Sequence, residues 1–253
     1  MELVAGIRFD PSVVWEFLFD DVILQGARET IWIAVIAQLI GIFLGVVFAV
    51  MRVSKNPVAR GTSGFYVWFV RGTPVLLQLL LVSFGLRQMI DNELFRELLT
   101  RWRAAVITFS VNEGAYMTEI VRAGIQAVPA GQMDAARSLG MTNLQAMRRV
   151  ILPQALRVII PPTGNEFIAM LKNTSIAFAI GVLELSSAAR RIYADNFKVM
   201  ELLVVAAIWY LAMTTVFSLL QAEAEAWASG DRERPKTLGS RLVKALVPGG
   251  RER

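Results

Sequence analysis

Two sets of polar side chains sit inside apolar sequence at spacings that give each a common face. Asn112, Glu113, Tyr116 and Glu119 fall three or four residues apart in one hydrophobic stretch, the interval that stacks side chains along one side of a helix. Farther on, Asn165 and Lys172 are seven residues apart, as are Glu166 and Asn173, which is about two helical turns. Carboxylates, amides, a phenol and an ammonium in such rows suit the holding of an ionic or dipolar small molecule. They do not suit bond-making. The chain has no histidine and no cysteine, so the commonest general base and metal ligand and the thiolate nucleophile are missing. A third polar island, GQMDAARSLGMTNLQAMRRVILPQ at 131–154, carries Asp134, Arg137, Arg148 and Arg149 between regularly placed glycines and a closing proline.

The scaffold for these residues is of the membrane type. Of 253 residues 55% are hydrophobic and 19% charged, and mean hydropathy is +0.50; soluble domains run at about 45–50% apolar and about 25% charged. Ile31 to Met51 contains 21 residues without a charge, enough to cross a bilayer as a helix. Spans are expected at about 29–52, 74–90, 104–128, 158–185 and 201–221. That is an all-α integral membrane protein of five transmembrane helices, with a membrane domain at 1–228 and a loosely ordered cytoplasmic tail at 229–253. Gly64 to Val70 should lie at the interface before the second span, with Thr73 capping that span and Pro74 in its first turn. Pro161, Pro162 and Gly164 should break the fourth span and expose backbone groups. Asp91 to Arg103 and Ser186 to Lys198 read as charged connections. The acidic N-terminus carries no cationic-then-apolar pattern of a cleaved signal peptide.

Lys and Arg set the expected orientation. Arg52, Lys55 and Arg60, then Arg122, Arg137, Arg148, Arg149 and Arg157, then seven in the tail make fifteen on one side. Arg8, then Arg87, Arg96, Arg101 and Arg103, then Arg190, Arg191 and Lys198 make eight on the other. The first side should be cytoplasmic, placing the N-terminus outside and both the 129–157 loop and the C-terminus inside. The net charge of +5 belongs to those loops. No basic stretch interleaved with aromatics argues for nucleic acid.

Within the 129–157 loop, Pro129 should start a short helix and Gly140 should end it in the left-handed conformation. Thr142 and Gln145 have the spacing of a capping box opening a second helix, which Pro153 disturbs or ends. Asp134-Ala135-Ala136, Gly140 and Val150-Ile151-Leu152-Pro153 resemble the cytoplasmic signature of ABC importer permeases: Glu-Ala-Ala, three residues, Gly, nine residues, Ile, one residue, Leu-Pro. Asp134 stands for the Glu and Val150 for the Ile. The segments VRGTPVLLQLLL (70–81), GAYMTEIVRAGIQAVPAGQ (114–132) and PPTGNEFIAMLKNTSIAFAIGVLEL (161–185) are similar to the polar amino acid subgroup of that family, so the likeness covers roughly 25 to 220.

The resemblance implies a multi-pass permease of the bacterial inner membrane, not itself an enzyme. Its 131–153 segment would be a coupling helix, with Asp134, Ala135, Ala136, Arg137 and Gly140 seated in a groove of a separate ATP-binding cassette ATPase dimer. ATP and Mg would be bound by that partner and no cofactor by this chain, whose sequence indeed lacks a G-x-x-x-x-G-K-[ST] phosphate loop. Further implied partners are a second permease subunit, identical or homologous, and an external binding protein that delivers a polar amino acid. Buried charge in a membrane faces a bundle interior or wet cavity, so Asn112, Glu113, Tyr116, Asn165, Glu166, Lys172 and Asn173 are read as a substrate path. Lys172 or helix termini could meet the substrate's carboxylate, and Glu113 or Glu166 its amine; surplus carboxylates lean toward a cationic or neutral substrate. Glu119 and Arg122 read as a structural pair, and Gln38 and Gln78 as bridges between helices. The alternative is an ion-coupled secondary transporter or channel that works without an ATPase.

Overall fold

The protein is described here by a computed structural model over residues 9–90 and 92–229; the expected tail beyond Ser229 lies outside the described residues. Helix makes up 87% of the described residues, and no strand occurs among them. A short α1 (Pro11–Phe17) precedes α2 (Asp21–Val53), whose start is set by Asp20, its carboxylate accepting from Val22 N at 2.8 Å. α3 (Pro57–Arg71) is capped by Asn56, which accepts from Val58 N and Ala59 N. α4 (Val75–Leu80), a π-helical turn (Leu81–Gly85) and α5 (Leu86–Met89) form a rod bent 99° away from α3. α6 (Glu93–Leu98), α7 (Arg101–Gln126), α8 (Ala130–Ser138) and α9 (Asn143–Ala146) follow, then a second π turn (Met147–Ile151) and α10 (Leu152–Asn173). A 3-10 turn (Thr174–Ile180), α11 (Leu185–Asn196) and α12 (Val199–Ser229) complete the chain.

α2 and α12 are each long and apolar enough to cross a membrane. α3 with α4–α5, and residues 143–180 with α11 (bent by 48°), pass the same test only as broken pairs. Several local expectations are corrected. Ser186 to Lys198 is mostly helix α11, because Glu184 caps it by accepting from Ser186 N and Ser187 N at 2.8 and 2.7 Å. The charged connection after Ile90 contains α6, capped by Asn92, and its end already belongs to α7. Thr73 does not cap α4; its hydroxyl donates to Phe69 O instead, and Pro74 takes the cap position. α12 runs eight residues past the expected end of the last span, to Ser229.

Pro161 and Pro162 do not break α10, which stays helical through both. Close packing on two sides holds it. Gly124 of α7 admits Ile159 and Ala155, and Gly164 admits Gln221 of α12, whose amide donates to Pro161 O at 3.2 Å. Neighbouring helices that support a proline in this way are what allow it inside a membrane helix. The chain breaks later, at Gly181, whose φ of +74° turns it left-handed before α11.

The centre of the fold is the α2–α7 pair. A Cβ on Gly41 would stand 2.5 Å from Glu113 Cγ, and one on Gly45 would overlap Met117. This Gly-x-x-x-Gly face lets the backbones approach as membrane helices do. Ile33, Ala37, Leu79, Phe109 and Leu171 form one buried cluster beside it. A second, around Ile23, Leu185, Leu202 and Val205, binds α1 and α11 to α12. There Trp209 Nε1 donates to Leu18 O at 2.7 Å and Asp10 N to Glu201 Oε1 at 3.0 Å. On the other side α2 exposes Leu39, Phe43 and Val50.

Candidate functional site

The first feature is the 130–153 segment. α8 closes with a Schellman motif: Met141 N donates to Ala136 O at 3.1 Å and Gly140 N to Arg137 O at 2.9 Å, with Gly140 at φ +78°. Glycine is required there because other residues strain in that region. The Thr142–Gln145 capping box is present in both directions. Pro153 disturbs the returning helix without ending it: the π turn precedes it, and it sits in the first turn of α10, where a missing N–H costs nothing. Ala136 is buried, so the small face of α8 is turned inward there, while Asp134, Ala135 and Arg137 are exposed. Asp134 and Arg137 face each other at 3.5 Å, and Arg137 Nε also donates to Asn143 Oδ1 at 2.9 Å, tying α8 to α9. On either side of Gly140, Leu139 and Leu144 are 79% and 67% exposed. These two apolar knobs were not singled out from sequence.

The second feature is a cavity of about 500 Å³ where α3, α4, α7 and α10 converge. Asn112, Glu113 and Tyr116 line it from α7, Glu166 and Asn173 from α10, and Arg71 with Gly72 to Val75 from the α3–α4 elbow. Five of the seven residues read as a substrate path therefore meet in one space. The other two do not. Asn165 lies on the next face of α10 and accepts from Gln221 at 3.0 Å, and Lys172 is exposed outside the cavity lining. The seven-residue pairing thus sorts into one stripe that faces the cavity and one that does not. Glu119 and Arg122 are paired, as expected.

Both signs of charge enter the cavity. Glu113 is only 3% exposed and its Oε1 has no hydrogen-bond partner. The Glu166 carboxyl lies within Coulombic reach of both Glu113 and Arg71. Arg71 is the residue that sequence reasoning passed over. Its guanidinium is exposed and stacks over the Tyr116 ring, 4.9 Å from the centroid. A charge interrupting an apolar run was the available signal. The site is a cavity of mixed charge, with Met170 and Phe109 as apolar wall.

Known proteins resemble this chain over most of its length. Residues 41–226 match the model of a family described as binding-protein-dependent transport system inner membrane component. An arginine transport system permease protein of Corynebacterium glutamicum is 43% identical over 241 residues, covering 91% of this chain and 75% of that one. A glutamine transport system permease protein of Escherichia coli is 33% identical over 219 residues, covering 87% and 97%. Among solved structures, one described as an amino acid ABC transporter with histidines superposes with a TM-score of 0.76 at 37% identity, over 88% of this chain and 99% of that one.

Proposed function

The chain belongs to the family of binding-protein-dependent transport system inner membrane components, and from that membership we propose that the cavity between Arg71, Glu113 and Glu166 holds the amino acid in transit. The protein is the permease subunit of an amino-acid ABC importer in the bacterial inner membrane. It works with a partner ATPase and another permease subunit.

The observation that carries the proposal is the charge arrangement. One guanidinium stands opposite two carboxylates, one of them buried with an unpartnered oxygen. A zwitterion needs one partner of each sign; the second carboxylate suits a cationic side chain. Arg71 then takes the place first considered for Lys172 as partner of the cargo's carboxylate. Glu113 and Glu166 meet its amine and its side chain, with Asn112, Tyr116 and Asn173 around them. The 43% identity to an arginine permease favours a basic cargo. An external binding protein delivers it.

The membrane spans in this reading are those near 29–52, 74–90, 104–128, 158–185 and 201–221, carried by α2, α4–α5, α7, α10 with its following turn, and α12. The Lys and Arg distribution supports an outside N-terminus and a cytoplasmic 129–157 loop. There Asp134, Ala135, Arg137 and Gly140, with Leu139 and Leu144, form the surface seated on the ATPase dimer, and Ala136 packs beneath it. Reconstitution tests the whole reading. Proteoliposomes holding the permease should take up arginine only with the ATPase, ATP and the binding protein all present. Uptake driven by an ion gradient without the ATPase would instead identify a secondary transporter.

A further inference from the structure

Gln78, one turn into α4, makes an unusual set of contacts. Its Nε2 donates to Val70 O at 2.7 Å, to Thr73 Oγ1 at 2.8 Å and to Thr73 O at 3.1 Å. Its Oε1 accepts from Asn112 Nδ2 of α7 at 3.1 Å. Val70 and Thr73 flank Arg71 and Gly72, so one amide grips both sides of the elbow at which α3 and α4–α5 diverge by 99°. The last carbonyls of a helix have no partner within it, and Gln78 supplies one to Val70. The same side chain is anchored to a residue of the cavity wall. It therefore ties the elbow to α7, the helix that carries Glu113 and Tyr116.

We propose that Gln78 is the positioning residue of the cavity: by clasping the Val70–Thr73 elbow to Asn112 it fixes where the Arg71 guanidinium stands opposite Glu113 and Glu166. This rests on the reading of Arg71 as partner of the cargo's carboxylate. Gln78 does not line the cavity and acts only through Arg71. The geometry makes the clasp specific: a methionine keeps its length but neither donates nor accepts strongly, and a glutamate keeps the contact with Asn112 but cannot donate to the elbow carbonyls.

The test is equilibrium dialysis of radiolabelled arginine, and of agmatine, which is arginine without its carboxylate, against the detergent-solubilised permease–ATPase complex without nucleotide. Gln78→Met and Gln78→Glu should each weaken arginine binding about tenfold, the scale set by losing one or two ordered hydrogen bonds. Agmatine binding should stay unchanged, since it does not use Arg71. In Arg71→Met the further change Gln78→Met should add nothing, because both act on one contact. Equal weakening of arginine and agmatine, or full additivity in the double variant, would overturn the proposal in favour of a merely structural role. If Gln78→Met fails to assemble, Gln78→Glu, nearly isosteric with the wild type, decides. Wild-type affinity in both Gln78 variants overturns this inference alone. Absence of arginine binding to the wild-type complex, or an Arg71→Met variant that binds as wild type, overturns the reading of the cavity and this inference with it.

Discussion

The guanidinium of Arg71 lies over the ring of Tyr116 at 4.9 Å from its centroid, so the cavity's cation is held against a π face, with no carboxylate contact to it among the described residues. A guanidinium neutralised by a tight ion pair would offer little to an incoming anion. One stacked on a ring keeps its N–H groups free along their edge. Tyr116 comes from α7 and Arg71 from the end of α3, so the contact also spans two elements that meet at the site.

From this contact, Tyr116→Leu should weaken arginine binding to the solubilised complex about two- to fivefold, the range of a half-exposed cation–π contact. Tyr116→Phe should remain within about twofold of wild type, because the ring face is retained. Dialysis of labelled arginine checks both. An equal loss in the two variants would show that the phenol hydroxyl carries the effect.

Gly140 yields a second prediction. Proline holds φ near about −65°, whereas Gly140 stands at +78° with open space around the site of a Cβ. Gly140→Pro should therefore disrupt the Schellman closure of α8 while leaving the membrane part folded. The expected result is normal membrane insertion and complex yield, with arginine uptake and transport-stimulated ATPase activity both reduced by an order of magnitude or more. Gly140→Ala, which costs roughly 1 kcal/mol in that conformation, should be much milder. Normal transport by Gly140→Pro would end the coupling assignment.

The contrast between these two sites shows what was readable beforehand. The Pro129, Gly140 and Thr142–Gln145 signals are local: each depends on backbone geometry within four residues, and each is found where expected. The cavity was half readable. Helical spacing put Asn112, Glu113 and Tyr116 on one face, but spacing alone could not tell which of two adjacent stripes of α10 turns inward. That depends on α12, whose Gln221 takes Asn165 away. The break after Arg71 was legible from Gly72 and Pro74, but the 99° angle that brings Arg71 in depends on packing against α7. The persistence of α10 through Pro161 and Pro162 is likewise tertiary, enforced by packing at Gly124 and Gly164.

The α2–α7 contact should be intolerant of added volume. A Cβ at Gly45 would overlap Met117 Cβ and stand 2.9 Å from its carbonyl carbon, so backbone must move. Gly45→Ala should cost about 1–3 kcal/mol, seen as a fall of several degrees in the Tm of the complex in detergent. Gly61→Ala is the control. It sits in α3 with nothing within 4 Å, and alanine is the better helix former by about 0.5–1 kcal/mol, so Tm should hold or rise.

Glu184 is fully buried between the turn that follows α10 and the start of α11. Its carboxylate accepts from Ser186 N, Ser187 N and Ser187 Oγ at 2.7–2.9 Å and from the Tyr210 hydroxyl at 3.0 Å. One side chain thus satisfies two free N–H groups of α11 and joins that helix to α12. Glu184→Ala should lose about 2–4 kcal/mol, the sum of a helix cap and of buried donors left without partners. Ser186 N and Ser187 N are held by different oxygens of the carboxylate, so the single carbonyl oxygen of Glu184→Gln can accept from only one of them. The other faces the amide, and only the hydroxyl on that side can rotate to accept from it. Its loss should therefore be about 1–2 kcal/mol, one buried N–H left without an acceptor where alanine leaves two. Thermal unfolding of the two variants separates the possibilities: Gln falling as far as Ala would mean that the charge, and not the cap, holds α11 in place.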